Sequence, residues 1–136
     1  MTLARNAALI LAVLLIGLSL FQLALAIGAP WGRAAFGGFV ERPGTALRVS
    51  AAIATVIWAG AALVVLRRAG FPVWAPLPTG WLPVALWVIT GVLALAIVVN
   101  AISPSVLEKS IWVPFGVVAV VLAVTVSLSS TTTNAR

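Results

Sequence analysis

Four stretches of this chain, 7–27, 46–66, 81–102 and 113–129, are almost free of charge, and each approaches the length of a membrane span. A helix needs about 20 mostly apolar residues to cross the roughly 30 Å hydrocarbon core of a bilayer. The first stretch is broken only by Ser19 and Gln22, and the one charge that enters any of them is Arg48, just inside the start of the second. In lipid every backbone N–H and C=O must find its partner within the protein, which leaves helices and closed barrels. Barrel strands alternate apolar and polar residues, and these runs do not. The expected fold is therefore all-α: an integral membrane four-helix transmembrane bundle in which 1–136 form a single four-span domain.

Composition points the same way. Hydrophobic residues make up 63% and charged residues 7% of the 136 positions, against about a quarter charged in a soluble domain. That leaves too little polar surface to coat a water-soluble globule. Arg5, the apolar run behind it and Ala24-Leu25-Ala26 have the outline of a secretory signal. The run is longer than an ordinary signal core, so a retained first helix is expected.

The joints carry ordinary start and stop chemistry. Gly28 and Pro30 end the first helix, and Arg42-Pro43-Gly44-Thr45 reads as a turn with Thr45 as the cap of the second. Arg67 and Arg68 suit the negative end of that helix. Ser105 and Glu108 have the spacing of a capping box, and Pro114 fits the first turn of the fourth helix or the interior of a longer one. Small residues mark close helix contacts in lipid. Ala51, Thr55, Ala59 and Ala62 share one face of the second helix, and Gly116, Ala119, Ala123 and Ser127 one face of the fourth. Gly17 and Gly91, both mid-span, are expected to join the same contacts, or one such face meets another subunit.

Four spans put both termini on one side, with Arg5, Arg67, Arg68 and Arg136. Arg33, Arg42, Arg48 and Lys109 fall on the other. The count ties, so the positive-inside rule does not decide. The uncompensated Arg67-Arg68 pair and the free N-terminus favour termini in the cytoplasm and a multi-pass protein of a bacterial cytoplasmic membrane. The net charge of +6 is spread over span ends without a cluster of nucleic-acid type. Contact with anionic membrane lipids is expected, and nucleic acid is not.

Missing residues narrow the chemistry. The chain has no Cys, His, Tyr or Asp, and its acids are Glu41 and Glu108 alone. Thiol chemistry, histidine-dependent nucleophile systems and ordinary zinc sites are excluded. No catalytic residue, metal ligand or cofactor is assigned.

Both acids fall at the end of the bundle that holds the first and third connectors. There the first connector places Trp31, Arg33, Phe36, Phe39, Glu41 and Arg42 around glycines, a composition expected to fold back on the bundle. The third brings Glu108 and Trp112, with Gln22 and Asn100 nearby in the helices. The aromatic residues also suit an interfacial belt. Arg48, a cation in a first turn, opposes the helix dipole, and an ion pair with Glu41 or Glu108 is expected to compensate it. Trp58 lies mid-span, and its indole N–H calls for a partner such as Thr55 or Thr90, unless it lines a cavity. The candidates for ligand or partner binding are thus Gln22, Trp31, Arg33, Glu41, Arg42, Arg48, Trp58, Asn100, Glu108 and Trp112.

The run Gly28-Ala29-Pro30-Trp31-Gly32 with Gly37-Gly38 behind it, then Ile102-Ser103-Pro104-Ser105, Glu108 and Trp112-Val113-Pro114, resembles small four-span membrane proteins of high-GC bacteria. The resemblance covers nearly the whole chain and implies topology rather than an activity. The leading functional expectation is a non-catalytic accessory subunit or scaffold of a membrane complex, partnered by lipids and by other subunits or a second copy. The alternatives are a binder or carrier of a lipid or small hydrophobic molecule, a small transporter, and an enzyme acting on a lipid through Glu41 or Glu108.

Overall fold

The apolar runs become four helices, α1 (Leu3–Ala26), α2 (Thr45–Arg68), α3 (Leu82–Ile102) and α4 (Val106–Ser129). They are seen in a computed structural model that describes residues 2–129. Short 3-10 turns stand at Gly32–Ala34, Phe36–Gly38 and Thr79–Trp81, and no strand occurs among the described residues. Each helix is long and apolar enough to cross a bilayer. Neighbours in sequence run antiparallel: α1 packs on α2 and α4, α3 packs on α4 and α2, and the diagonals barely touch. The connectors between α1 and α2 and between α3 and α4 share one end of this ring, here termed the loop end. The start of α1, the end of α4 and the connector between α2 and α3 share the other, the termini end.

Capping chemistry sets the helix ends. Thr2 caps α1 by accepting a hydrogen bond from the Arg5 N–H. Ser105 does the same for α4, its Oγ accepting from Glu108 N–H at 3.2 Å. With that cap in place α4 begins at Val106, well before the expected start at 113. Pro114 consequently lies inside the helix, where its missing N–H leaves one intrahelical bond unmade. The expected Thr45 cap does not form: Gly44 occupies the cap position and Thr45 is the first helical residue.

The core lies in the termini half of the ring. Ala8, Leu11 and Leu15 of α1, Ala62 and Val65 of α2, Leu86 of α3, and Ala119, Ala123 and Val126 of α4 form one buried cluster. Small residues let the backbones approach and the leucines fill the remaining space. The small face of α4 is buried throughout, and that of α2 contributes Ala51 and Ala62. Gly17 and Gly91 do not join it. They face outward, and a Cβ at either would meet nothing within 4 Å. Gly116 does sit at a close approach, since a Cβ there would fall 2.5 Å from Cγ1 of Ile97. A buried Ser19 adds a cross-link between α1 and α2, its Oγ donating to the Thr55 carbonyl at 2.8 Å.

Candidate functional site

The loop half of the ring is built differently. Residues 27–44, the first connector, turn back over α4. Three hydrogen bonds hold them there: Trp112 Nε1 donates to the Ala34 carbonyl at 2.6 Å, Ser105 Oγ to the Arg33 carbonyl at 3.0 Å, and Gly37 N–H to Glu108 Oε1 at 2.9 Å. The sequence needed for this turn is specific. Phe36, Gly37 and Gly38 all take positive φ, at 52°, 75° and 75°. That conformation suits glycine and strains a side-chain-bearing residue such as phenylalanine. A Cβ on Gly38 would also collide with Ser105 at 2.8 Å.

Beneath this cover lies a cavity of about 520 Å³. Its walls come from Leu18, Phe21 and Gln22 of α1, Trp58 of α2, Leu93, Ala96 and Asn100 of α3, and Glu108, Trp112, Phe115 and Gly116 of α4, with Phe36 and Gly37 along the edge at the loop end and the exposed Val99 and Ile102 on its open rim. Along α4 the wall runs from Glu108 to Gly116, about 12 Å at a rise of about 1.5 Å per residue. The aromatic rings are organised: Phe21 stacks on Trp31 at 6.2 Å and meets Trp112 edge-on at 4.8 Å, and Trp112 meets Phe115 edge-on at 5.5 Å. Gln22 lines the cavity and has no hydrogen-bond partner within the described protein, while Asn100 Nδ2 is spent on the Ala96 carbonyl of its own helix.

Glu108 is the chemical centre of this site. It is 5% exposed and is the charged member of the cavity wall. The expected capping box forms by half. Ser105 caps the Glu108 N–H, but the Glu108 side chain does not return to the Ser105 backbone. Its Oε1 accepts from Gly37 N–H, and its Oε2 accepts from the buried hydroxyl of Ser103. Ser103 takes over the vacated role, its Oγ accepting from Ser105 N–H at 3.1 Å. A residue expected to serve its own helix end thus ties the third connector to the first.

The other candidates divide. Trp112, Gln22, Asn100 and Trp58 join Glu108 around the cavity. Trp58 makes no hydrogen bond to Thr55 or Thr90, whose hydroxyls donate to carbonyls of their own helices. Trp31 reaches the site only through Phe21 and is half exposed. Arg33 and Glu41 pair with each other at 4.0 Å on the exposed surface, and Arg42 lies outside the cavity. The expected ion pair of Arg48 with a carboxylate does not form. Arg48 Nε instead donates to the Ala26 carbonyl at 2.8 Å, where the negative end of α1 supplies the compensation that a carboxylate was expected to give. Ser103, Phe21 and Phe115 do not stand out in the sequence as site residues, whereas Phe36 and Gly37 belong to the glycine-spaced aromatic connector expected to fold back on the bundle. Ser103 carried a signal, as a hydroxyl two residues before a cap with a proline between them. Phe21 and Phe115 look like ordinary span residues. Comparison with known protein families, with curated proteins and with solved structures finds no match, so the site is read from its own geometry.

Proposed function

We propose that the chain is a multi-pass integral membrane protein that holds a small hydrophobic or amphipathic molecule in the loop half of its bundle. The membrane part rests on apolar side chains that cover the outward faces, with Val13, Val56, Leu95 and Val121 at 60–73% exposure. The ligand part rests on one observation: the cavity of about 520 Å³, bordered at the loop end by a hydrogen-bonded connector and walled by aromatic rings around one buried polar end. Small-molecule sites are commonly concave, mostly apolar, roughly 300–1,000 Å³, and furnished with a few placed polar groups. Arg5, Arg67 and Arg68 stand at the termini end, with the Arg5 guanidinium over the Phe71 ring at 4.3 Å. The loop end carries Arg33, Arg42, Arg48 and Lys109, so the count of basic residues assigns neither end to the cytoplasm.

The test is native mass spectrometry of the chain purified in mild detergent, alongside Ala96→Phe, which adds a ring to the cavity. One enriched molecule on the wild type, lost from the variant, is expected. The same bulk lipid profile on both would overturn the reading.

A second reading, an accessory subunit or scaffold, is favoured by a groove between α2 and α3. It is almost wholly apolar and lined by Gly60, Pro76, Leu77, Trp81 and Val84, and a partner helix would fit such a surface. Recovery of a stoichiometric partner, lost on Gly60→Leu, would support it.

A further inference from the structure

Glu108 offers more than the fold uses. A carboxylate has about four acceptor positions, and the protein fills two of them, from Gly37 N–H and Ser103 O–H. A neutral glutamine could keep the Gly37 bond on its carbonyl and donate its amide to the Ser103 hydroxyl, so holding the connector does not require a charge. A buried charge carries a large penalty unless it is paired. The first turn of α4 supplies the partial positive charge of a helix N-terminus, but no cationic side chain lines the cavity. The basic residues of this end are engaged or turned outward: Arg33 on Glu41, Arg48 on the Ala26 carbonyl, Arg42 and Lys109 exposed.

The rest of the wall selects the same sign. Phe21, Phe36, Trp58, Trp112 and Phe115 present aromatic rings, whose faces attract cations, most strongly where water is excluded. A ligand anion would meet the carboxylate as a like charge. A small inorganic cation would have to shed its hydration shell among rings. A cation with its charge spread over carbon substituents meets neither obstacle.

Building on the cavity reading above, we infer that the ligand is an organic cation, an ammonium group bearing an apolar body. The ammonium lies against the Glu108 carboxylate beside Phe36 and Trp112, and the body extends toward Trp58 and Leu93.

The test uses the full chain in nanodiscs, with protein-free discs as the blank, and calorimetric titration of three probes of one shape. These are naphthylmethyl-trimethylammonium, the neutral N,N-dimethyl naphthylacetamide and the anionic naphthylmethanesulfonate. The cation should bind at least about tenfold more tightly than the amide, with the sulfonate weakest. Glu108→Gln should abolish that preference, bringing cation and amide to the same affinity. Phe36→Leu, which keeps the carboxylate, should weaken the cation about threefold or more. If Glu108→Gln does not fold, the wild-type ranking and Phe36→Leu decide. Equal binding of cation and amide, both lost in Ala96→Phe, would overturn the cation assignment and leave the cavity reading standing. A preference for the sulfonate would overturn the assignment too. No probe above the blank would overturn both.

Discussion

In the termini half of the bundle Leu11, Leu15, Val65, Leu86 and Val126 are completely buried against Ala8, Ala62, Ala119 and Ala123. In the loop half Phe21, Trp112 and Phe115 surround a cavity instead, which reaches down to Trp58 at mid-span. Both halves are drawn from the same apolar spans. The difference lies in side-chain shape. Small residues opposite leucines let four backbones close on one another. Large rings meeting edge-on hold a space between them, and a connector rich in glycine can fold over it. Hydrophobicity therefore specifies the spans, while the alternation of small and large residues decides which end is sealed.

The largest expected effect breaks the sealed half. Leu15→Ala should lower stability by about 2–5 kcal/mol, measured by unfolding in mixed micelles, because the surrounding helices cannot close over the space left. A loss comparable to an exposed substitution would mean that the termini half is not a packed core. The next contrast sets the halves against each other directly. Ala123→Phe, in the core, should cost about 1–3 kcal/mol or prevent folding, whereas Ala96→Phe, in the cavity wall, should cost less than about 1 kcal/mol. Equal losses would erase the distinction.

Much of this contrast was readable from the residues. The four spans, the burial of Gly116, Ala119, Ala123 and Ser127, and the return of the first connector over the bundle all follow from pattern and composition. The true start of α4 did not, because charge at Glu108 and Lys109 marked those residues as connector although Ser105 was able to cap a helix there. The partners of Arg48 and Glu108 were equally out of reach. Local spacing pairs Glu108 with Ser105, while the bonds that form reach Gly37 across the fold and Ser103 behind the cap. Gly17 and Gly91 were misplaced for a related reason: a glycine in a span shows that close approach is possible, not which face makes it.

Two smaller effects sharpen the account. Ser103→Ala leaves the buried Glu108 one donor short and should cost about 1–3 kcal/mol, together with faster proteolysis within the connector 27–44. An unchanged proteolysis rate would show that Glu108 does not tie the connectors together. Glycine-to-alanine substitution should then separate inward from outward faces. Gly116→Ala forces Ile97 to move and should destabilise by about 1 kcal/mol, whereas Gly17→Ala and Gly91→Ala should be neutral or stabilise by up to about 1 kcal/mol. Destabilisation at Gly17 or Gly91 would point to a helix partner on those outward faces.

The most direct measurement is an experimental density map of the purified chain in a lipid environment. It should show the termini half closed around Leu11, Leu15 and Val126. Non-protein density should lie between α1, α3 and α4, reaching from Glu108 toward Trp58. Side chains of Phe36, Trp58 and Trp112 packed into continuous contact, with no space between them, would contradict it.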